Sequence, residues 1–225
     1  YISLNCCLVI PLAYHPGIHS SQNDHDSRLC RQFGHALVLE PSDAQEALEF
    51  TRQAFELSER FDTIALVRTT TRLSHTRSSV QVGTRTEHPR TGFIEKPPKN
   101  VMIPAHARGR HGAIIEREAQ MRRFLDDSPL NRWIEGDARV GIITAGTCYP
   151  YVREVLPEAS VLKLGASWPL PEGLIERFCA SVERVFVVEE LEPFIERELR
   201  VRALAVEGKP FSPPPGALSP EPVRA

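Results

Sequence analysis

The sequence predicts an α/β protein built from two open parallel-sheet units, and three observations carry that reading. Short, near-continuous apolar runs recur along the chain, among them TIALVR, VGIIT, SVLKL and VFVV. Runs without polar alternation suit strands buried on both faces, as in parallel sheets covered by helices. Stretches with helical spacing and capping signals lie between them, which is the alternation expected of α/β architecture. From Thr71 to Gly112 both patterns vanish into Pro, Gly, Thr, Arg and Lys, so the alternation falls into two halves.

In the first half, Ile2 to Pro11 reads as a strand, and the polar segment after it leads into a helix running towards Phe33. A second strand is expected over Ala36 to Leu39. The helix after it starts at Ser42, with Gln45 three residues on as a capping box and Asp43 and Glu46 at the positive end of the helix dipole. Thr63 to Arg68 is the third strand. The connection carries a short extended piece at Asn100 to Ile103 and a helix near 113–125. The second half reads as a strand at Val140 to Thr144, a helix from Tyr149 to Leu156 and a strand at Ser160 to Leu164. A helix opened by Pro171, a strand at Val185 to Glu190 and a helix from Pro193 to Leu204 complete it. The expected units are 1–75, a connection over 76–137, a second α/β unit over 138–206, and a Pro-rich linker over 207–225 that packs no core.

Composition narrows the function classes. The chain has 225 residues, 41% hydrophobic and 25% charged, with a formal net charge of −2. Near-neutrality gives no electrostatic reason to expect nucleic acid or an anionic membrane as partner. No apolar run approaches the roughly 20 residues that cross a bilayer, and the N-terminus lacks the pattern of a signal peptide. Cys6, Cys7, Cys30, Cys148 and Cys179 form an odd set with no C-x-x-C, which favours reduced thiols in a cytoplasm over a metal site or a disulfide framework. Tyr1 falls inside what reads as a strand, suggesting an internal fragment.

The densest chemistry is PGIHSSQNDHDSR, Pro16 to Arg28. It follows the carboxyl end of the first strand, where ligands bind in open parallel sheets. Gly17 makes the turn. Ser20 and Ser21 offer hydroxyls and backbone N–H groups near a helix start, a place suited to anions, and Arg28 could hold a carboxylate bidentately. A capped, solvated loop is the other reading. The His/Asp spacing matches no familiar metal frame. SHTRSS (Ser74 to Ser79) and HARGRH (His106 to His111) read as solvated basic or interface strips. ITAGTC has one glycine where a dinucleotide fingerprint needs three. GASWPLP reads as a strand-exit loop, and Glu189, Glu190 and Glu192 as a solvated strand end or an interface. Cys148, beside a helix N-terminus, is the best-placed thiol for reactivity, though a buried apolar role is its default.

PGIHSSQNDHDSR, VLEPSDAQEALEFTRQAFELSERFDT, VRTTTRLSHTRS, VMIPAHARGRH, SPLNRWIEGDARVGIITAGTCYPYVREV, VLKLGASWPLPEGLIERF and VFVVEELEPFIE together resemble, in collinear order over nearly the whole chain, the alpha subunit of indolepyruvate:ferredoxin oxidoreductase. The resemblance implies the latter part of a thiamine-pyrimidine-binding domain, the connection, and a transketolase-C-like domain. It implies oxidative decarboxylation of an aryl 2-oxoacid to an acyl-CoA, with thiamine diphosphate, Mg2+ and [4Fe-4S] clusters in the full enzyme and none bound by this region alone. The implied partners are a beta subunit, ferredoxin and coenzyme A. It places Gly17, His19, Ser20, Ser21, Gln22, Asn23 and Arg28 along the cofactor and substrate cleft, with no catalytic residue in this stretch. Where the family has an acidic pair before the Pro-Gly, this chain has Tyr14-His15. Gly136-Asp137-Ala138 is not the family's metal–diphosphate motif. Alternatives are a related enzyme for pyruvate or 2-oxoglutarate, or a non-catalytic interaction module.

Overall fold

The computed structural model describes residues 7–17, 22, 26–30, 34–85, 95–209 and 218–224. The first sheet holds β1 (Leu8–Tyr14), β2 (Leu37–Leu39), β3 (Ile64–Thr70) and, from far along the chain, β7 (Ala166–Trp168), in the order β1-β3-β2-β7. The second holds β4 (Arg132–Ile134), β5 (Asp137–Ala145), β6 (Ala159–Leu164) and β8 (Arg184–Val188), ordered β4-β6-β5-β8. The inner strands pair in parallel, as the apolar runs predict. Each sheet, however, carries one antiparallel edge: β7 on β2 and β4 on β6. The sheets are therefore mixed rather than purely parallel.

Both antiparallel strands lie across the expected unit boundaries. β4 comes from the connecting stretch, and β7 crosses from the second unit to complete the first sheet. The crossing turns on Gly165, where a side-chain carbon would collide with the Leu130 carbonyl. Asn131 fixes the spot: its side-chain oxygen accepts from the Gly165 N–H at 2.9 Å, and its amide donates to the Leu125 carbonyl at 2.8 Å. GASWPLP is thus a strand in its first half, not only an exit loop. Its short length and mixed composition hide a strand from periodicity.

The helices shift in physically readable ways. α1 (Ala44–Phe61) takes Asp43 as its N-cap, its carboxylate accepting from the Glu46 N–H at 2.8 Å. Ser42 sits one residue further out, where the Glu46 carboxylate accepts from its N–H and hydroxyl. α2 (Thr71–Ser74) is a single turn capped by Thr70. Of the extended piece expected over Asn100 to Ile103, Asn100 instead ends a helical turn, α3 (Pro97–Asn100), while Val101 and Ile103 are extended, and α4 (Pro104–Asp126) begins nine residues earlier than anticipated. Pro104 supplies the start, since a proline at the first helical position loses no bonded N–H. α5 (Cys148–Val155), α6 (Glu172–Ala180) and α7 (Phe194–Val201) fall where expected. Ser27–Cys30 forms a 3-10 turn, and residues 31–33, which complete the expected early helix, lie outside the described residues.

One core joins the units. Ala36, Val38 and Leu66 of the first sheet are buried with Ile143, Leu162, Val187 and Trp168. A second core lies between α1, α4 and the outer face of the first sheet, around Phe50, Leu57, Met121 and Leu125. The Pro-rich end also packs where it is described: Leu218 is buried, and α8 (Pro220–Arg224) lies against α5.

Candidate functional site

The carboxyl ends of β1, β3 and β2 meet those of β5 and β8 at a buried polar cluster. Each end contributes a group the apolar runs lead into: Tyr14 closes β1, Glu40 follows β2, Arg68 sits near the end of β3, Thr147 follows β5, and Glu189 and Glu190 follow β8. All six are at least nine-tenths buried.

Arg28 is the centre of this cluster and is 2% exposed. Its Nε donates to Asp26 Oδ1 at 2.8 Å and its Nη1 to Glu189 Oε2 at 2.5 Å. Nη2 donates to Asp26 Oδ2 at 2.5 Å and to the carbonyls of Glu190 and Glu192 at 2.9 and 3.0 Å. The guanidinium also lies over the Phe194 ring, 5.0 Å from its centroid. Burial alone would lower the Arg28 pKa, but the charges of Glu189 and Asp26 outweigh it and raise it well above the ordinary value. Glu189 in turn accepts from the Ile195 and Glu196 N–H groups at the start of α7, both at 3.0 Å. That is where a carboxylate meets the positive end of a helix.

Beside it, Arg68 donates to Glu40 Oε2 at 2.6 Å and to the Ser27 hydroxyl at 3.1 Å, with its guanidinium carbon 3.4 Å from the Tyr14 ring centroid. The Tyr14 hydroxyl donates to Glu190 at 2.9 Å, and Thr147 donates to the same carboxylate oxygen at 3.3 Å. Burial, with Glu190 and Glu40 against the opposing Arg68, pushes the Tyr14 phenol well above its ordinary pKa. Among the described residues, Glu40 Oε1 and Arg68 Nη2 are buried without a hydrogen-bond partner.

A second charged cluster ties the units at another point. Glu46 on α1 accepts from Lys163 on β6 at 2.7 Å and pairs with Arg132 on β4. Lys163 is fully buried, 4.6 Å from the Phe50 ring centroid.

Set against the sequence reading, Gly17 does take the turn after β1, with φ of 86°. Gln22 is exposed, and Arg28 is buried and bonded to protein acceptors. His19, Ser20, Ser21 and Asn23 lie outside the described residues, as do Asp24 and His25. Asp26, which the sequence offers only as one of the His/Asp residues that match no familiar metal frame, is the carboxylate that fixes Arg28. Glu189 and Glu190 are buried ties between units rather than a solvated strand end. Arg68, which closes the third strand at the head of RTTTR and reads from the sequence as part of the same wall, joins this cluster, and Glu40, a lone charge at the end of an apolar strand, carried the same signal. Lys163 and Glu46 gave no such signal.

Several weaker candidates resolve as well. The Ala145-Gly146-Thr147 turn faces Glu40, whose carboxylate would lie 3.3 Å from a side-chain carbon at Gly146. A carboxylate there repels phosphate. Cys148 is 2% exposed, and burial, reinforced by Glu190 and Glu40, raises its thiol well above the ordinary pKa, so its role is apolar packing. Asp137 is bound by Arg139 at the start of β5. No three His, Cys, Asp or Glu side chains among the described residues are grouped to hold a metal.

Known proteins now bear on this geometry. The chain is 42% identical over 224 residues to the indolepyruvate oxidoreductase subunit IorA of Thermococcus kodakarensis, covering 91% of this chain and 34% of that protein. The corresponding Pyrococcus horikoshii subunit is 39% identical over 232 aligned positions, covering 95% of this chain and 36% of the relative. The chain belongs to the indolepyruvate oxidoreductase alpha-subunit family. It spans about a third of the length of these relatives. A more distant member of the wider family, the 2-oxoglutarate synthase subunit KorA of Archaeoglobus fulgidus, is 26% identical over 221 residues, covering 85% of this chain and 62% of the relative. No family model matches the chain.

Solved structures agree on the fold. A 2-oxoglutarate:ferredoxin oxidoreductase from Magnetococcus marinus, solved with 2-oxoglutarate, coenzyme A and succinyl-CoA bound, superposes with a TM-score of 0.59 at 17% identity, covering 92% of this chain and 43% of that one. A split-gene transketolase, an inactive beta4 tetramer, gives 0.54 at 15% identity, covering 92% and 57%. No helix of the described residues is long and apolar enough to cross a membrane.

Proposed function

We propose that this region forms one wall of the substrate and thiamine diphosphate cleft in an indolepyruvate:ferredoxin oxidoreductase, a cytoplasmic enzyme oxidising aryl 2-oxoacids to acyl-CoA. A beta subunit and ferredoxin are its proposed partners, and coenzyme A its co-substrate. The observation that carries this reading is the meeting of five parallel-strand carboxyl ends beside Tyr14, Asp26 and Arg28, where open α/β sheets place their ligands.

In this reading thiamine diphosphate, Mg2+ and the [4Fe-4S] clusters are held by other parts of the full enzyme, as the family resemblance implies. The contribution of this region is positional. Arg28 clamps the described Asp26–Cys30 stretch to Glu189 of the other unit. His19, Ser20, Ser21 and Asn23 are the proposed cleft-facing side chains. Arg28 serves them as a positioning residue, because its donors already meet Asp26, Glu189 and two backbone carbonyls. This refines its expected role as the holder of a substrate carboxylate.

Steady-state kinetics of the full enzyme test this. His19→Ala and Ser20→Ala are expected to lower kcat/KM for indolepyruvate at least about ten-fold, a loss of roughly 1.4 kcal/mol of transition-state binding, with thermal stability unchanged. Wild-type kinetics in both variants would remove the segment from the cleft. Comparing indolepyruvate with 2-oxoglutarate in the same assay separates the aryl reading from the substrate class of the more distant relative.

A further inference from the structure

The body-facing side of α4 buries Ile114, Met121 and Leu125, and the apolar run Val101 to Ile103 lies just ahead of its first turn. Its cover fades towards the N-terminus. Leu125 is fully buried, Met121 is 1% exposed and Ile114 8%, but Ile103 is 47% exposed. Val101 and Met102, just ahead of it, are 51% and 37% exposed. Three consecutive apolar side chains thus stand exposed ahead of the covered part of α4.

The charge there is one-sided. Residues 96–115 contain Lys96, Lys99, Arg108 and Arg110 and no Asp or Glu. Lys99, Arg110 and Arg117 all converge on the single carboxylate of Asp62, at 2.9, 3.2 and 3.3 Å. One carboxylate cannot neutralise three cations, so the surface keeps a net positive charge. Arg108 is exposed and adds to it.

We propose that Val101, Met102 and Ile103, flanked by Arg108 and the Asp62 cations, form a docking surface for a partner subunit. The partner would present an acidic surface with an apolar centre. This rests on the oxidoreductase reading, which supplies the partner subunit. Charge complementarity selects the acidic partner, while the apolar centre supplies the buried anchor that interfaces concentrate at their middle. Nucleic acid would use the cations and leave the apolar side chains unpaired. A bilayer surface calls for a longer apolar face than three side chains provide.

The test uses the full-length alpha subunit and its partner subunit. The Met102→Ser/Arg108→Glu double variant is expected to weaken their affinity at least ten-fold. A Val201→Ser/Arg197→Glu control on the exposed face of α7 should leave it unchanged. Hydrogen exchange of the wild-type complex should show protection over 101–108 that the free subunit lacks. Unchanged affinity in the double variant overturns the proposal. So does protection already present in the free subunit, which would mean another segment of the same polypeptide covers the surface. Binding of the wild type to phosphatidylserine vesicles or duplex DNA through these residues, without an effect on the partner, overturns it equally. Ferredoxin-coupled oxidation of indolepyruvate is assayed on the same wild-type complex. Docking without that activity would sink the functional reading and leave the surface standing, and activity with unaltered docking would do the reverse.

Discussion

Arg28 and Glu189 hold each other inside the protein, and neither has water to fall back on. A buried charge that loses its partner costs about 3–5 kcal/mol, whereas a matched apolar replacement of the whole pair can be close to neutral. The Arg28→Met variant is therefore expected to lose about 3–5 kcal/mol of stability in urea unfolding, because it strands Asp26 and Glu189 together. A loss below about 1 kcal/mol, the range of surface ion pairs, would show that water reaches the pair and that the clamp is not buried. Little of this was legible beforehand. Composition places Arg28 in a polar stretch after a strand, which fits a ligand-binding arginine as well as a structural one. The partner that decides between them lies 161 residues away, and no local pattern reports a contact of that range.

At the scale of elements, the crossing from β6 to β7 is the most constrained turn in the fold. The chain leaves the second sheet, passes against the Leu130 carbonyl and joins the first sheet within one residue. Gly165→Ala would force the new carbon into that backbone oxygen, with the Phe50 ring 3.0 Å away on another side. We expect a loss of about 3 kcal/mol or more, at the upper end of overpacking costs, read as a lower urea midpoint. A variant as stable as wild type would mean the backbone at Leu130 can yield. The inner strands were legible as continuous apolar runs, and most helices by their amphipathic spacing, with a side-chain cap to mark α1. β4 and β7 were not, since three-residue edges of mixed composition take their conformation from the sheets they join. The start of α4 was missed for a related reason. Pro104, Gly109 and Gly112 read as breakers, and a helix with little apolar periodicity at its N-terminal half leaves only the proline start signal.

At the scale of the whole molecule, the shared core and the two buried charge clusters make the two sheets one cooperative body. The pH dependence of its stability follows from the carboxylates. Burial alone would raise the Asp26 pKa, but the hydrogen bond and charge of Arg28, with Arg68, hold it below the ordinary value. Glu46 is lowered in the same sense, Lys163 and Ser42 outweighing its burial. A carboxyl lowered on folding adds stability above its unfolded pKa of about 4, and that stability disappears as pH falls through the folded value. Glu189 acts with the opposite sign: burial outweighs Arg28 and raises its pKa, so its contribution is present below the unfolded value and fades as pH rises through the folded one. It offsets part of the gain from the other two. Glu46→Gln isolates one of them. The gap in Tm between wild type and this variant should be widest near neutrality and close progressively below about pH 4. Both proteins should unfold in a single transition, since Ala36, Val38 and Leu66 cannot be exposed without opening the core around Ile143 and Val187. A gap independent of pH would mean that Glu46 acts through packing rather than charge, and two resolved transitions would mean that the sheets melt as separate bodies.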